Sequence, residues 1–260
     1  MPDYVQRPPT EPYRSLNPTT KLAIALTEAL VAFVVRGWTG PLVVLAVVLA
    51  TGLRAGVWRA FLPFLLATLP LIASILLVNT FLYPGATDLI ARIGPLAPTW
   101  TGLVFATQAA LRVIAFAMSV ALLGLTTRPD HLIADLERRG MGRRAGFVLG
   151  ATLRTVPQIG ERAREITDAQ RARGLDTEGS PWRRARGLVP LAAPLVFGAL
   201  SEVEEVTMAL EARAFSAPAR RTPLRSFPDA GWQRVLRWTL LALSLLAVAG
   251  SISGALAFLP

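Results

Sequence analysis

Long apolar runs separated by short polar breaks fill the first half of the chain, and one long polar block interrupts the second half. Residues 22–35 are apolar except for Thr27 and Glu28. Arg36-Gly37-Trp38-Thr39-Gly40-Pro41 is a turn signal, and residues 42–53 form a second apolar run. Both runs fall short of the roughly 20 residues that a membrane span needs. They read as two short or tilted spans, or together as a re-entrant hairpin. Residues 61–82 and 101–125 are full-length spans, the first with Pro63 and Pro70 as candidate kinks. Between them, residues 83–100 make a Gly- and Pro-rich loop whose aromatic ends suit the membrane interface. Residues 127–186 are strongly polar. The apolar stretch 188–200 is short and holds Pro190 and Pro194, which predicts an interfacial or buried cytoplasmic helix rather than a span. Residues 201–213 are charged and helical in pattern, 217–234 a loop, and 235–259 the last span. The expected fold is an all-α polytopic membrane protein with about five transmembrane helices plus cytoplasmic amphipathic helices. Its divisions are a tail over 1–21, a transmembrane region over 22–126, an Arg-rich cytoplasmic region over 127–234, and a last transmembrane helix over 235–260.

Composition supports that class and removes others. Hydrophobic residues make up 53% of the chain and the mean hydropathy is +0.47. There is no cysteine, so disulfides and thiolate metal sites are excluded. His131 stands alone and cannot build a polyhistidine metal site. The formal charge of +10 is carried by arginine with one exception, Lys21. A basic excess can signal nucleic acid, anionic lipid or an acidic partner. In a polytopic membrane protein the positive-inside bias accounts for it, and no nucleic-acid partner is expected. That bias puts Arg54, Arg59 and the thirteen arginines of residues 127–186 on the cytoplasmic side. The N-terminus is then cytoplasmic and Pro260 external. Residues 1–20 are polar and Pro-rich, without the apolar core of a cleavable signal. Lys21 lies in Thr20-Lys21-Leu22 with no glycine nearby, so no phosphate-binding loop is possible. Any ATP that drives this protein is bound by another subunit.

The polar block carries the candidate chemistry. Residues 157–173 place Pro157 at a plausible helix start, with Ile159, Ala163, Ile166 and Ala169 as one apolar stripe. Gly174 suits a left-handed C-cap, which leaves Arg173 in the last turn. Residues 201–213 repeat the theme, with Val203, Val206 and Leu210 as the stripe. Glu202, Glu204 and Glu205 make a solvated face, since metals want ligands converging from several elements. Glu211-Ala212-Arg213 then runs into Ala214-Phe215. An arginine at a helix C-terminus stabilises by about 0.3–1 kcal/mol and needs no other role. Arginine is also the residue suited to bidentate capture of a partner's carboxylate. Two Arg-tipped helices in one block favour docking of a soluble partner. Within the spans, Arg112 falls near the centre of 101–125, with Asn79 and Gln108 as available partners. A charge at that depth is expensive. It serves either packing or contact with another subunit. No acidic residue shares its span, so a proton relay is not expected. Gly250-Ser251-Ile252-Ser253-Gly254 is a small-xxx-small pattern suited to close helix packing.

Four stretches resemble one family. Leu16-Asn17-Pro18-Thr19-Thr20-Lys21-Leu22 is similar to its opening before the first span, and Thr126-Thr127-Arg128-Pro129 to its passage into the cytoplasmic region. Ala169-Gln170-Arg171-Ala172-Arg173-Gly174 resembles its first Ala-Arg-Gly signature, and Ala209-Leu210-Glu211-Ala212-Arg213-Ala214-Phe215 its second. The family is the transmembrane T component of energy-coupling factor (ECF) transporters, which includes cobalt- and biotin-transport permease subunits. The resemblance covers most of the chain from about residue 16. Bare Ala-Arg-Gly recurs as Ala185-Arg186-Gly187, so only the context makes the signature specific. The second signature departs at Ala214, where the family has glycine. Alanine takes a positive φ only at a cost of about 1 kcal/mol, so a different helix end is expected there. The resemblance implies a non-catalytic subunit without cofactors of its own, ATP and Mg being bound by two partner ABC-type ATPases. It implies that the Arg-bearing ends (Gln170, Ala172, Arg173, Gly174; Glu211, Ala212, Arg213, Ala214) dock on those ATPases. It further implies a small membrane S component that captures a vitamin or transition-metal ion, all in the plasma or inner membrane. Two rivals have less support. A permease with its own substrate path would need more intramembrane polar residues, and a lipid-processing enzyme would need an interfacial carboxylate, His or metal constellation.

Overall fold

The computed structural model describes residues 13–35, 37–84, 88–90, 98–174, 181–215, 217 and 229–253, and within 181–190 only the side chain of Trp182. Most of the 1–21 tail, of the 83–100 loop and of the 217–234 loop lies outside the described residues, as do Arg36, the side chain of Pro190 and Gly254. Every regular element among the described residues is helical: α1 (Pro18–Val34), α2 (Thr39–Arg54), α3 (Phe61–Leu82), α4 (Trp100–Thr126), α5 (Pro129–Arg138), α6 (Arg143–Ala172), α7 (Pro181–Ala212) and α8 (Gly231–Ile252), with a 3₁₀ turn, Trp58–Ala60, leading into α3. The protein is thus the all-α membrane protein that its apolar runs predict. The stretches Trp58–Leu82, Trp100–Thr126 and Gly231–Ile252 are long and apolar enough to cross a membrane, while Thr39–Arg54 is apolar but shorter. At 17 residues, α1 is about 25 Å long, close to a hydrocarbon core of about 30 Å.

The chain forms two compact units, residues 1–139 with 227–260, and residues 140–226. In the first unit α4 packs against α1, α2 and α3, and α1 packs in turn on α8 and α5. The core joins Ala32, Val44, Val48, Phe61, Met118 and Leu122. Small residues let the helices approach: Ala106, Ala110, Ala115 and Ala121 of α4 are buried. At Gly102, a Cβ would collide with the carbonyl oxygen of Asn79 on α3. Lipid supplies no hydrophobic drive between helices, so close van der Waals contact takes its place. Polarity runs the same way. Along α1, Thr20, Lys21, Thr27 and Glu28 are buried while Leu26 and Phe33 are exposed. Along α8, Gln233 and Ser244 are buried while Trp238, Leu245 and Leu246 are exposed. The Ser244 hydroxyl meets the Thr27 hydroxyl at 3.1 Å, and the Ser119 hydroxyl donates to Glu28. Polar groups turn towards each other because lipid offers them no partner.

The second unit corrects the sequence reading. Pro157 does not start a helix: α6 begins at Arg143 and runs through Pro157 for 30 residues. The less exposed positions Phe147, Ala151, Thr155, Ala163, Ile166 and Gln170 keep one helical face across the proline. That face sustains the helix although Pro157 offers no N–H to the Leu153 carbonyl. Likewise 188–200 and 201–213 are not separate elements, since residues 188–212 all lie within the 32-residue α7. The last span begins at Gly231, so Gln233 and Arg234 are helical rather than loop.

Candidate functional site

The two Arg tips end in the same backbone conformation. At the end of α6, Gly174 has φ +93°. Its N–H donates to the Arg171 carbonyl at 2.9 Å, and the Arg173 N–H donates to the Gln170 carbonyl at 3.0 Å. At the end of α7, Ala214 has φ +54°, the one positive value at a non-glycine among the described residues. The Ala214 N–H donates to the Glu211 carbonyl and the Phe215 N–H to the Leu210 carbonyl, both at 2.9 Å. This is the Schellman pairing, so the expectation of a different end at Ala214 is corrected. Alanine accepts the left-handed region because the paired bonds outweigh a strain of roughly 1–2 kcal/mol. The Phe215 ring also seats on Phe147 at 5.1 Å between centroids. Ala172, Arg173, Gly174, Glu211, Ala212, Arg213 and Ala214 are exposed, and Gln170 is half-buried.

Helices α6 and α7 run antiparallel. Phe147, early in α6, meets Phe215 beyond the end of α7, while Arg162 further along α6 pairs with the earlier Glu202 at 2.7 Å. The tips therefore lie at opposite ends of the helix pair, and α6, with its 30 residues, is about 45 Å long. The Arg162–Glu202 pair is partly exposed and stabilises by no more than about 1 kcal/mol. It also removes Glu202 from the solvated acidic face. Val203 and Val206, the apolar stripe of 201–213, remain exposed.

A second polar site lies at the start of α1, and the sequence reading misses its members other than the Asn17–Lys21 motif. Asn17 caps α1, accepting from the Thr19 N–H at 3.0 Å, with Pro18 at the first helical position. Its side-chain amide donates to Asp135 of α5 at 3.2 Å, and the Thr19 hydroxyl donates to the same carboxylate at 2.8 Å. Arg139 Nε completes that carboxylate at 2.8 Å, and its Nη2 reaches Asp229 at 3.0 Å. Arg237 of α8 grips both Asp229 oxygens, at 3.0 and 2.9 Å, and donates to the Thr20 hydroxyl at 2.8 Å. The Gln233 side-chain oxygen accepts from the Asn17 N–H at 2.9 Å. Burial alone would raise the Asp135 carboxyl, but hydrogen bonds from Arg139, Thr19 and Asn17 outweigh it and hold it below the usual carboxylate range. Hydrogen bonds from Arg237, then from Arg139, hold Asp229 low as well. Lys21, the lone lysine, is buried and donates to the carbonyls of Arg14 and Thr126, each at 3.0 Å, which ties the start of α1 to the end of α4. The available signals were the Asn-Pro helix start and the Asp135–Arg139 spacing of four.

The structure does not join the intramembrane trio. Asn79 donates to the Ile75 carbonyl of its own helix at 2.9 Å. Gln108 lines a cleft of about 320 Å³ with Tyr83, Trp100, Thr101 and Phe105. The Nε of Arg112 is buried and has no hydrogen-bond partner among the described residues.

Comparison with known proteins decides the family. Residues 9–224 match the CbiQ family, described as cobalt transport protein. The chain belongs to that family. It is similar to the energy-coupling factor transporter transmembrane protein EcfT of Thermosediminibacter oceani, with 30% identity over 220 residues covering 81% of this chain and 82% of that protein. The EcfT of Listeria innocua is 28% identical over 256 residues, covering 94% and 92%. That of Thermanaerovibrio acidaminovorans is 29% identical over 267 residues, covering 96% and 93%. The resemblance to ECF T components drawn from the Arg signatures therefore holds. The CbiQ match includes both Arg tips and the residues from Asn17 to Arg139, and it ends before Asp229, Gln233 and Arg237.

Proposed function

We propose that this chain is the transmembrane coupling subunit of an ECF-type ABC importer. It passes ATP-driven motion of two ATPase subunits to a membrane S component, which takes up a vitamin or a transition-metal ion. The observation that carries this reading is the pair of matched, exposed Arg tips at opposite ends of the antiparallel α6/α7 pair. Two docking points a helix-length apart suit two separate ATPase subunits better than one. Each tip offers a guanidinium whose fork matches a carboxylate, set just ahead of a cap that fixes where the helix stops. Gln170 and Glu211 stand on the last turns beside these arginines as further contact residues. ATP and Mg belong to the ATPases, in keeping with the lone, buried Lys21. The protein sits in the plasma or inner membrane with its N-terminus and the 140–226 unit cytoplasmic, as the arginine distribution requires.

The test is co-expression with the neighbouring ATPase and S-component subunits and purification in mild detergent. The wild-type chain is expected to recover two ATPases and one small membrane protein. The double variant Arg173→Ala/Arg213→Ala is expected to insert normally, lose the ATPases and abolish ATP-dependent uptake. Full uptake by the double variant would overturn the assignment.

A further inference from the structure

The polar site at the start of α1 belongs to the first unit and contains neither Arg tip, yet it occupies a particular place in the chain. The polypeptide leaves the first unit after Arg139 and returns to it at Phe227. Arg139 and Asp229 thus stand at the two crossings, and they are joined at 3.0 Å. Neither is left to hold the other alone. Arg139 is backed by Asp135, whose side chain is 3% exposed, and Asp135 is itself held by Asn17 and Thr19 of α1. Asp229 is backed by Arg237 of α8, whose Nη2 reaches both carboxylate oxygens while its Nη1 is held by Thr20. Two carboxylates balance two guanidiniums, and every carboxylate oxygen has a donor. An isolated exposed ion pair slips and contributes little. Here each guanidinium is shared between two partners, Arg139 between Asp135 and Asp229 and Arg237 between Asp229 and Thr20, so the charge-assisted bonds hold one another in place.

Motion imposed on residues 140–226 can reach the membrane helices through the chain only at these two crossings. Crossings that moved independently would absorb such motion in their linkers, whereas crossings fastened together to α1, α5 and α8 pass it on. We propose that Asp229, with Arg139 and Arg237, is a positioning cluster that fastens both crossings of the chain to α1, α5 and α8 and so makes nucleotide-driven motion of residues 140–226 act on the membrane helices. This rests on the ECF reading above. The cluster stays closed throughout the transport cycle and is not needed to recruit the ATPases.

Spin-label distances test it directly, because the chain has no native cysteine. Cysteines are introduced at Asp130 on α5 and Arg164 on α6, both exposed, in the full complex with cysteine-free ATPases and S component. Distance distributions are recorded without nucleotide and with vanadate-trapped ATP. The otherwise unaltered chain is expected to give a narrow distribution that shifts as one peak on trapping. Asp229→Asn and Arg139→Gln are expected to keep the ATPases bound and hydrolysing ATP but to give a broad distribution with no shift. Asp229→Glu, which keeps the charge, is expected to restore the shift. An unchanged shift and width in both neutral variants would overturn the proposal. Loss of assembly in both would also overturn it, since the cluster would then be a folding element only. Failure of the unaltered chain to recover ATPases is a different outcome and would sink the ECF reading instead.

Discussion

Replacing Ala214 by glycine should stabilise the end of α7, because Ala214 holds a left-handed conformation at φ +54°. For an L-residue that region costs roughly 1–2 kcal/mol. Glycine removes the strain but has more backbone freedom to lose, which returns roughly 0.5–1 kcal/mol. The net gain is about 0.5–1 kcal/mol, or about 2–5-fold in a local opening equilibrium. Gly174 provides the mirror experiment. Its φ is +93° and an added Cβ meets nothing within 4 Å, so Gly174→Ala isolates the backbone term. It should cost about 1 kcal/mol at the end of α6. Amide hydrogen exchange on the purified complex reads both effects. In Ala214→Gly the Phe215 amide, which bonds the Leu210 carbonyl at 2.9 Å, should exchange more slowly. In Gly174→Ala the amides of Arg173 and Gly174 should exchange faster. Equal or faster exchange at Phe215 in Ala214→Gly would refute the claim that this residue is strained.

The paired carboxylates at the start of α1 make stability depend on acid. Asp135 and Asp229 both titrate below the usual range in the folded protein. Their contribution is therefore fully present above the unfolded value of about 3.9 and is lost as pH falls through the folded values. Tryptophan-fluorescence melts of the purified chain should hold steady from neutral pH to about pH 4 and fall below it, with a shallower fall in Asp229→Asn. Arg112→Met should raise the melting temperature of the isolated chain, since it removes a buried Nε without a partner, a defect of about 1–3 kcal/mol. It should also reduce co-purification of the S component, so a lower melt for the isolated chain would show that Arg112 is already satisfied there.

The spans are legible in the sequence because lipid demands length and apolarity, and both can be counted. The 101–125 run reappears as Trp100–Thr126 and the 61–82 run as Phe61–Leu82. The Arg173 tip is legible because a helix C-cap is a local event, signalled within a few residues by Gly174, whereas at Ala214 the missing glycine points to a different end that the Phe215–Leu210 bond overrides. Other features are not legible, for physical reasons. Pro157 reads as a start because proline favours the first turn, and only the continuous face from Phe147 to Gln170 keeps the helix whole. The start of α8 reads as loop because Gln233 and Arg234 are polar, while in the fold Gln233, with Arg237 one turn on, faces Asn17, Thr20 and Asp229. The polar site itself joins residues as far apart as Asn17 and Gln233, and no local pattern reports such a distance.

The arginines sort by what lies behind them. In a chain with a formal charge of +10, composition assigns them all to one cause, the asymmetry of charge across the membrane. Geometry separates at least three. Arg139 and Arg237 each reach a carboxylate at 3.0 Å or less, and that carboxylate is held by the partner arginine or by α1. Arg173 and Arg213 are exposed at helix ends whose backbone is fully specified by hydrogen bonds. Arg112 has a buried Nε without a hydrogen-bond partner among the described residues. A satisfied guanidinium is a fastening, because its energy is already committed within the fold. An exposed one on a fixed helix end leaves its donors accessible, and the fixed end confines the direction from which a partner could reach them. One with a buried nitrogen left unpaired in a membrane helix is a defect in the isolated chain. On the function proposed above, fastenings at the start of α1 and exposed tips on α6 and α7 would be the two attachments of a lever, one to what it moves and one to what moves it.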